Sequence, residues 1–363
     1  MDMISFGLVF LELVFGQLHR LPAPGEEVFT DEFAISCGGA VTSATAAAAA
    51  GVRAGLCTML GDDLGSQVVS EHCAAAGVDL SPSARAAGPT AGITVVLNFD
   101  GDRGFVTHLP SAAVGERAEI KRWHAVLRDQ RPAWCYLHPG RWAAPFLREA
   151  RELGCKTMLD TSLGDERDRD TVIECVKLAD IFVPNADELV RLTGAARLDE
   201  AVAAALAWGT ELVVTRGQAG ALVAGRDGAV TEVSRGVGQV TVRDLTGAGD
   251  SFAGAMIAAL IGGASIAEAA VVANAAGSKA VSRLGGVGEV GAGTGAGWPL
   301  RPMVVKDVAA VLARGDDPPR PPAVLARGDD PPRPPAVLAR GDGLLQPSEG
   351  IAAARRPGAP EQG

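Results

Sequence analysis

The chain has 363 residues, 47% of them hydrophobic, and a formal net charge of −10. This length allows a sizeable core, whereas the acidic charge argues against a nucleic-acid-binding protein, which needs a basic surface. Because no run of about 18 apolar residues occurs, the sequence predicts no membrane-spanning helix.

The expected compartment is the cytoplasm. The apolar run 6–15 is not preceded by Lys or Arg and is not followed by a small-residue cleavage site, so it is not typical of a signal peptide. The six cysteines are widely spaced and form no C-x-x-C pair, which argues against a zinc site and against a disulfide framework. We therefore expect reduced, mostly buried thiols.

The N-terminal part of the chain combines strands with helices. An Asp-Gly step at residues 100–101 joins two extended runs, which predicts a β-hairpin. The predicted elements are a strand over 4–15, a loop and a short extended segment over 17–36, a helix over 40–50, a strand over 56–60, a helix over 68–76, and hairpin strands over 92–99 and 104–108.

After residue 115 helices and strands alternate, which predicts βαβ units and a mainly parallel sheet. The predicted helices are 116–128, 143–153, 170–178, 186–192, 199–208, 252–262 and 266–283. The predicted strands are 134–137, 157–160, 181–184 and 212–215.

The segment from Asp244 to Phe252 carries the clearest chemical signal. The β-branched residues of 237–242 lead into a turn with two glycines, and an Ala-rich helix follows, which predicts strand, tight turn and helix. Glycines let backbone N–H groups converge, and a helix N-terminus adds free N–H groups and a positive dipole end. We expect an anion site here. Asp250 lies at its mouth, and the alternative interpretation of this residue is a helix N-cap.

The string Asp-Leu-Thr-Gly-Ala-Gly-Asp-Ser-Phe resembles the signature of the ribokinase-like (PfkB) carbohydrate kinases, roughly D-T-x-G-A-G-D-x-F, with only Leu245 departing. Further motifs that resemble the family occur in the same order along the chain. They are Gly38-Gly39, Gly61-Asp62-Asp63, Gly77-Val78-Asp79, Asn185-x-x-Glu188 and Thr215-Arg216-Gly217-x-x-Gly220.

The resemblance implies an α/β protein with the three-layer α/β/α ribokinase-like fold, a mainly parallel central sheet and a small β-sheet lid. The lid would come from about residues 17–36 and 88–108, within a kinase domain over 1–298. The resemblance also implies transfer of the γ-phosphate of Mg-ATP to a hydroxyl of a small sugar. It implies the lid as a surface for a homodimer. The acidic charge and the lack of a long apolar run, for their part, predict no nucleic-acid or membrane partner.

By the same resemblance Asp250 is the general base, and the turn of Gly247, Ala248 and Gly249 stabilises the transferring phosphoryl group. The residues implied in nucleotide binding are Asn185, Thr215, Gly217, Gly220 and Asn274. Glu188 is implied in Mg²⁺ binding, and Asp244 in binding a monovalent cation such as K⁺. Two alternatives are an ordinary capping box for the pair Asn185 and Glu188, and a solvated helix position for Asn274.

The implied substrate-binding residues are Glu12, Gly38, Gly39 and Ser43. The family usually has Asp at the position of Glu12 and Asn after the diglycine, where this chain offers Thr42 or Ser43. A hydroxyl has less reach than an amide and lacks its paired donor and acceptor, so these departures point to a different substrate or to weaker sugar binding.

Two other functions fit the same residues. One is a nucleoside kinase of the same fold, in which Phe29, Phe33 or Phe105 of the lid would stack on the base. The other is a non-catalytic sugar- or nucleotide-binding protein, against which the intact Asp250 counts.

The C-terminal segment 299–363 differs in composition. It contains 13 of the 22 prolines and a 13-residue repeat, 310–322 followed by 323–335. Its Pro-Pro-Arg-Pro-Pro runs favour polyproline II and cannot continue a helix or a central strand. We therefore expect a disordered or extended tail without a catalytic role.

Overall fold

The computed structural model describes residues 1–99, 102–110, 117–161, 168–236, 238, 240–288 and 290. The strands are β1 (Met3–Phe6), β2 (Val9–Leu18), β3 (Glu32–Gly39), β4 (Ala54–Cys57), β5 (Met59–Leu60), β6 (Ala84–Arg85), β7 (Gly92–Phe99), β8 (Asp102–His108), β9 (Trp134–Leu137), β10 (Lys156–Leu159), β11 (Ile181–Phe182), β12 (Glu211–Thr215), β13 (Ala221–Ala224) and β14 (Val230–Val233).

The helices are α1 (Ala40–Ala49), α2 (Leu64–Ala76), α3 (Arg117–Gln130), α4 (Ala143–Glu152), α5 (Arg169–Leu178), α6 (Ala186–Thr193), α7 (Leu198–Leu206), α8 (Ala248–Ile261) and α9 (Ile266–Ala280). In this part of the chain no helix is both long enough and apolar enough to cross a bilayer. The predicted tail 299–363 and the domain boundary at 298 lie outside the described residues.

The central sheet has the order β14-β13-β12-β11-β10-β9-β1-β4 among the described residues. The strands from β12 to β4 pair in parallel, and β13 and β14 add an antiparallel edge. Short apolar strands such as β1 and β9 suit this position, because helices cover both faces of a parallel sheet. The carboxyl ends of the parallel strands therefore meet at one edge.

Two layers of helices cover the sheet. On β9, Cys135 and Leu137 face a core shared with α3 to α7, whereas Tyr136 faces a second core shared with α8 and α9. This alternation follows from the two-residue period of a strand. The three-layer α/β/α fold with a mainly parallel sheet is confirmed.

A second sheet, called the lid sheet below, has the order β3-β2-β7-β8. Strands β3, β7 and β8 overlap the predicted lid segments 17–36 and 88–108, whereas β2 lies almost entirely before them. The β7–β8 hairpin is antiparallel, as predicted. The prediction of one strand over 4–15 is wrong, because the chain leaves the central sheet after Phe6 and enters the lid sheet at Val9. Both strands are largely buried, so a continuous apolar run gives no sign that the chain changes sheets.

The strand predicted before the signature is also absent from the described residues at 240–243. The amides of Arg243 and Asp244 both donate to the carbonyl of Val281, at 2.8 and 3.3 Å. The chain entering the signature is thus held by the residue that follows α9, and sheet pairing does not position it.

Helix α8 lies close to α1 at Gly254. A Cβ built at this position would overlap the carbonyl oxygen of Ser43 and would lie 2.9 Å from the Cβ of Ala46. The close approach of the two helices therefore requires glycine, and it fixes the helix that carries the signature.

We expect Gly254→Ala to lower the free energy of unfolding by about 1–3 kcal/mol, because overpacking forces the two helices apart. Urea unfolding followed by circular dichroism measures this change. The matched control is Gly277→Ala in α9, where the new Cβ would make an ordinary 3.4 Å contact with the Ala248 carbonyl. Equal destabilisation by both variants would contradict the close contact at Gly254.

Candidate active site

The start of α8 combines a glycine turn with a helix N-terminus, which is the geometry predicted for an anion site. Gly247 is the N-cap with φ of 71°, a left-handed conformation that favours glycine, and a Cβ here would lie 2.6 Å from the Cα of Gly286. The amides of the first helical turn have no acceptor within the helix. The predicted turn of Gly247, Ala248 and Gly249 therefore lies at a positive helix end, where the Ala248 amide makes only a long 3.4 Å hydrogen bond to the Leu245 carbonyl.

Asp250 is the third residue of α8, and the N-cap is Gly247, so the alternative interpretation of Asp250 as a cap is wrong. Its Oδ1 accepts a hydrogen bond from the Tyr136 hydroxyl at 2.7 Å. The Nε2 of His138 lies 3.6 Å from the same oxygen, and the Asp250 side chain is 20% exposed. The carboxylate is therefore held on one side and reachable from the other.

Sequence reasoning missed two residues at this site, Tyr136 and Asp160, and left His138 outside the predicted site. Tyr136 and His138 lie at the end of β9, and Asp160 directly follows β10. The signal that could have found them is their position, because ligands of open α/β sheets bind beyond the carboxyl ends of the strands.

Asp160 is almost fully buried. Its Oδ2 lies within hydrogen-bond distance of the Tyr136 hydroxyl, at 2.9 Å, and its Oδ1 accepts from the Thr161 amide at 2.7 Å. Burial, aided by the nearby carboxylates of Asp250 and Glu188 and opposed by His138 and Tyr136, raises the pKa of Asp160 to about 8. At neutral pH this carboxyl group is therefore mostly protonated.

Glu12 lies on β2 and is 6% exposed. Its Oε2 accepts from the Gly286 amide at 2.9 Å, and a Cβ at Gly38 would overlap its carboxylate. The first glycine of the diglycine therefore makes room for this side chain. Burial, opposed by the hydrogen bond from the Gly286 amide and aided by the charges of Asp244 and Asp250, raises the pKa of Glu12 to about 7.

The second glycine and the residues after it have different surroundings. Gly39 is the N-cap of α1 with φ of 75°, and a Cβ there would overlap the Leu8 carbonyl. The hydroxyl of Ser43 is buried and hydrogen-bonded to that of Ser5 at 2.8 Å. The Oγ1 of Thr42 has no hydrogen-bond partner among the described residues. A Cβ at Gly286, whose amide donates to Glu12, would lie 3.0 Å from this atom. Thr42 therefore lies close to Glu12, whereas the Ser43 hydroxyl is hydrogen-bonded in the core.

Asp244 is buried and fully engaged with its own chain. Its Oδ1 accepts from the amide and hydroxyl of Thr246 at 2.9 and 2.7 Å, and its Oδ2 accepts from the Gly285 amide at 2.7 Å. The residue thus fastens the signature to the loop after α9. In the described ranges no group of three or more His, Cys, Asp or Glu side chains is arranged to hold a metal ion.

A cavity of about 380 Å³ lies next to Asp244. Glu32 and Asn98 of the lid line one part of it, and Thr241 to Leu245 line the other. Asp250 is not among its lining residues, so this cavity adjoins the signature without opening directly onto Asp250. An ion pair between Glu32 and Arg243, 2.9 Å long, connects the two parts.

Asn185 and Glu188 form the capping box that the alternative interpretation describes. The Glu188 amide donates to Asn185 Oδ1 at 2.9 Å, and Glu188 Oε2 accepts from the Asn185 amide at 3.0 Å and the Thr161 hydroxyl at 2.9 Å. Thr161 follows Asp160, so Glu188 lies beside the end of β10, where Asp160 contacts Tyr136. Asn185 also forms a parallel bridge with Thr215, which brings two predicted nucleotide residues together.

The loop after Thr215 turns tightly. Gly217 and Gly220 have φ of 55° and 82°, and a Cβ at Gly220 would overlap the Val233 carbonyl, whereas Gly217 faces open space. Asn274 is 7% exposed and donates to the Ser234 carbonyl at 3.1 Å. The alternative of a solvated helix position for Asn274 is therefore wrong, and the residue anchors the segment after β14.

Comparisons with known proteins agree with this arrangement. The family model of the pfkB family carbohydrate kinases matches residues 3–289. A cytidine kinase of Thermococcus kodakarensis is 28% identical over 266 residues, which cover 71% of this chain and 88% of that protein.

Two solved structures share the fold. One is an E. coli protein described as a ribokinase II, in complex with ATP and Mg²⁺, with a TM-score of 0.67 and 23% identity over 79% of this chain and 94% of that one. The other is the adenosine kinase of Sinorhizobium meliloti, with a TM-score of 0.66 and 20% identity over 86% of this chain and 99% of that one.

Fold, signature and comparisons define a ribokinase-like kinase, a phosphotransferase with an alcohol group as acceptor. The chain belongs to the pfkB family of carbohydrate kinases.

The raised pKa values predict that the protein becomes less stable as pH rises. A carboxyl group whose folded-state pKa exceeds its unfolded value stabilises the fold below the unfolded pKa, and this contribution is lost as pH rises through the folded pKa. Glu12 and Asp160, with values of about 7 and 8, behave in this way. We expect the free energy of unfolding to fall by about 2–5 kcal/mol between pH 6 and pH 8.5.

Urea titrations at the two pH values measure this difference. Glu12→Gln should make it smaller, because the amide does not ionise. Glu71→Gln, on the exposed side of α2, should leave it unchanged. A protein that is equally stable at both pH values would refute the buried protonated carboxyls.

Proposed function

We propose that this kinase transfers the γ-phosphate of Mg-ATP to a hydroxyl of a small carbohydrate, with Asp250 as the general base. The observation that carries the proposal is the placement of one partly exposed carboxylate within the glycine turn at the start of α8. A base and an anion-stabilising site therefore lie side by side, and phosphoryl transfer depends mainly on such positioning and electrostatic stabilisation.

In the proposed reaction Asp250 accepts the proton of the acceptor hydroxyl through the side that Tyr136 does not hold. The hydroxyl oxygen forms a bond to the γ-phosphorus, and the bond to the β–γ bridging oxygen breaks, so that ADP leaves. The N–H groups of the turn 247–249 stabilise the charge on the transferring group. The base must lie within hydrogen-bond reach of the hydroxyl, and the exposed side of Asp250 permits this.

For the nucleotide we propose the residues around the bridge between Asn185 and Thr215, with Gly217, Gly220 and Asn274 shaping the adjoining loop. The open space at Gly217 and the tight turn at Gly220 suit a ligand that binds close to the backbone of this loop. Mg-ATP supplies the phosphoryl group and, through the metal, neutralises phosphate charge. Glu188 would hold Mg²⁺ through water, which fits an ion that keeps several waters and takes few carboxylates.

The inner face of the lid favours a carbohydrate acceptor. Ser36 and Thr94 flank Glu12 in the strand register, and Asn98 follows on the same face. All four side chains are buried and polar. Hydroxyl-rich ligands need several directional polar groups. We propose that Glu12 and Thr42 contact the acceptor and that Gly38 and Gly39 leave space for it. Ser43 would contribute indirectly, because its hydrogen bond to Ser5 holds α1 in position.

A nucleoside acceptor is the second candidate, and the resemblance to a cytidine kinase favours it. Phe33 pairs with Phe15 on the outer face of the lid, opposite Glu12, and Phe29 is 81% exposed. Phe105 pairs with Val96 and so shares the inner face with Glu12. Of the two aromatic residues placed on the lid strands, Phe33 and Phe105, only Phe105 could therefore stack on a base beside Glu12.

Two further expectations stay proposals. One is a monovalent cation such as K⁺ at Asp244, although three internal donors already occupy this carboxylate. The other is a homodimer through the lid, whose outer face exposes Phe33, Ile93 and Val106.

We expect the purified protein to release ADP from Mg-ATP with one member of a panel of sugars and nucleosides. Asp250→Asn should lower kcat by about 10²–10⁴-fold, because general-base catalysis is lost. The matched control is Asp170→Asn, which removes an exposed acidic residue from the first turn of α5 and should keep the full rate.

Competition between the best sugar and the best nucleoside separates the two acceptor classes. Phe105→Leu should leave turnover of a sugar unchanged and should weaken binding of a nucleoside. Ligand binding without ADP release across the panel, from a folded protein, would overturn the kinase proposal and favour a binding protein.

A further inference from the structure

Tyr136 is the single tyrosine of the chain, and its side chain is fully buried between the sheet and α8. Its hydroxyl lies 2.7 Å from Asp250 Oδ1 and 2.9 Å from Asp160 Oδ2. A phenol has one proton and can donate to one oxygen at a time. Both short contacts are favourable together only if one of the two carboxyl groups is protonated and donates to the phenol oxygen.

The protonated carboxyl group is Asp160. It is 6% exposed, whereas the Asp250 side chain is 20% exposed, so the charge costs more on Asp160. A Cβ at Gly249 would lie 3.6 Å from Asp160 Oδ2, which places this group beside the anion site. A negative charge there would oppose a bound phosphoryl group. The pKa of Asp160, raised by burial to about 8, agrees with this assignment.

The other titratable groups around this pair are few among the described residues. The Nε2 of His138, the residue that follows β9, lies 3.4 Å from the Tyr136 hydroxyl. The charge of Glu188 in α6 raises the pKa of Asp160, and the charge of Asp250 raises the pKa of Glu12 in the lid. Burial and the two carboxylates raise the pKa of Tyr136 well above its usual value, so the phenol stays neutral and is the donor to Asp250.

We propose that Tyr136 is a positioning residue for the base. Asp160 donates to the Tyr136 oxygen, Tyr136 donates to Asp250 Oδ1, and Asp250 Oδ2 is thereby kept for the proton of the acceptor hydroxyl. Both protons of this chain stay in place during phosphoryl transfer. The kinetic part of the inference rests on the proposed role of Asp250, whereas the hydrogen-bond chain does not.

The first test is Tyr136→Phe in the full-length protein, since it removes the hydroxyl and keeps the ring. A hydrogen bond to a charged group corresponds to about 10–100-fold in rate, so kcat should fall by about this factor. KM for ATP and for the acceptor should change by less than about threefold, because no ligand contact is lost. Thr210→Val, which removes a buried hydroxyl bonded to the Val176 carbonyl, is the control that should keep kcat.

The pH profile separates positioning from a purely structural role. Above the pKa of Asp160 two carboxylates compete for the phenol proton, so wild-type kcat should fall between pH 7 and pH 9. Asp160→Asn stays neutral and can still donate to the phenol oxygen, so its kcat should not fall over this range. The kcat of Tyr136→Phe should also stay constant over this range, at a lower value than that of the wild type at pH 7.

A third measurement does not depend on activity. Tyrosine labelled with ¹³C at Cζ gives one resonance in this protein, and its shift should titrate with a midpoint near pH 8 in the wild type. In Asp160→Asn the resonance should not titrate in that range. If the wild type shows no turnover but the resonance titrates, the kinase proposal fails and the hydrogen-bond chain stands.

Two results would overturn the inference. One is a Tyr136→Phe protein with kcat within about twofold of an active wild type. The other is a tyrosine resonance that is insensitive both to pH and to Asp160→Asn. If Tyr136→Phe does not fold, the resonance and the Asp160→Asn profile still decide the question.

Discussion

The burial of carboxyl groups around the N-terminus of α8 is the constraint on which the active site depends. Glu12, Asp160, Asp244 and Asp250 all lie there, and in the described part of the chain they contact backbone amides, hydroxyls and one imidazole. Like charges at such distances cannot all ionise in a buried site. Two of the groups have raised pKa values, Asp244 accepts three hydrogen bonds from its own chain, and the partly exposed Asp250 is the group that we propose as the base.

Local patterns predicted much of this architecture. The glycine turn, the first helical turn and the capping box at Asn185 are encoded within a few residues, and the alternation after residue 115 determines the parallel sheet. The contact between Tyr136 and Asp250 joins residues 114 positions apart, and it exists only because β9 lies in the sheet above which α8 begins. Such a contact depends on strand order and register, which periodicity does not contain.

The same limit explains the errors near the termini of elements. The run 4–15 is apolar throughout because β1 is buried in the central sheet and β2 in the lid, so hydrophobicity cannot locate the crossing between them. The segment before Asp244 is rich in β-branched residues, yet its amides bond to the end of α9. Here a tertiary contact overrides β propensity, which reflects packing more than backbone preference.

The replacement of the family's usual Asp by Glu12 follows from the same geometry. The longer side chain reaches the Gly286 amide at 2.9 Å, and the absence of a side chain at Gly38 leaves space for its carboxylate. Asp244 holds the neighbouring amide, that of Gly285. The lid strand β2 and the signature are therefore joined through two consecutive amides of one loop. The ion pair between Glu32 of β3 and Arg243 is a second link between the lid and the signature. With Glu12 as the proposed acceptor contact and Asp250 as the proposed base, a change of acceptor that moves Glu12 also moves the loop that supports the signature, which couples the two proposed roles.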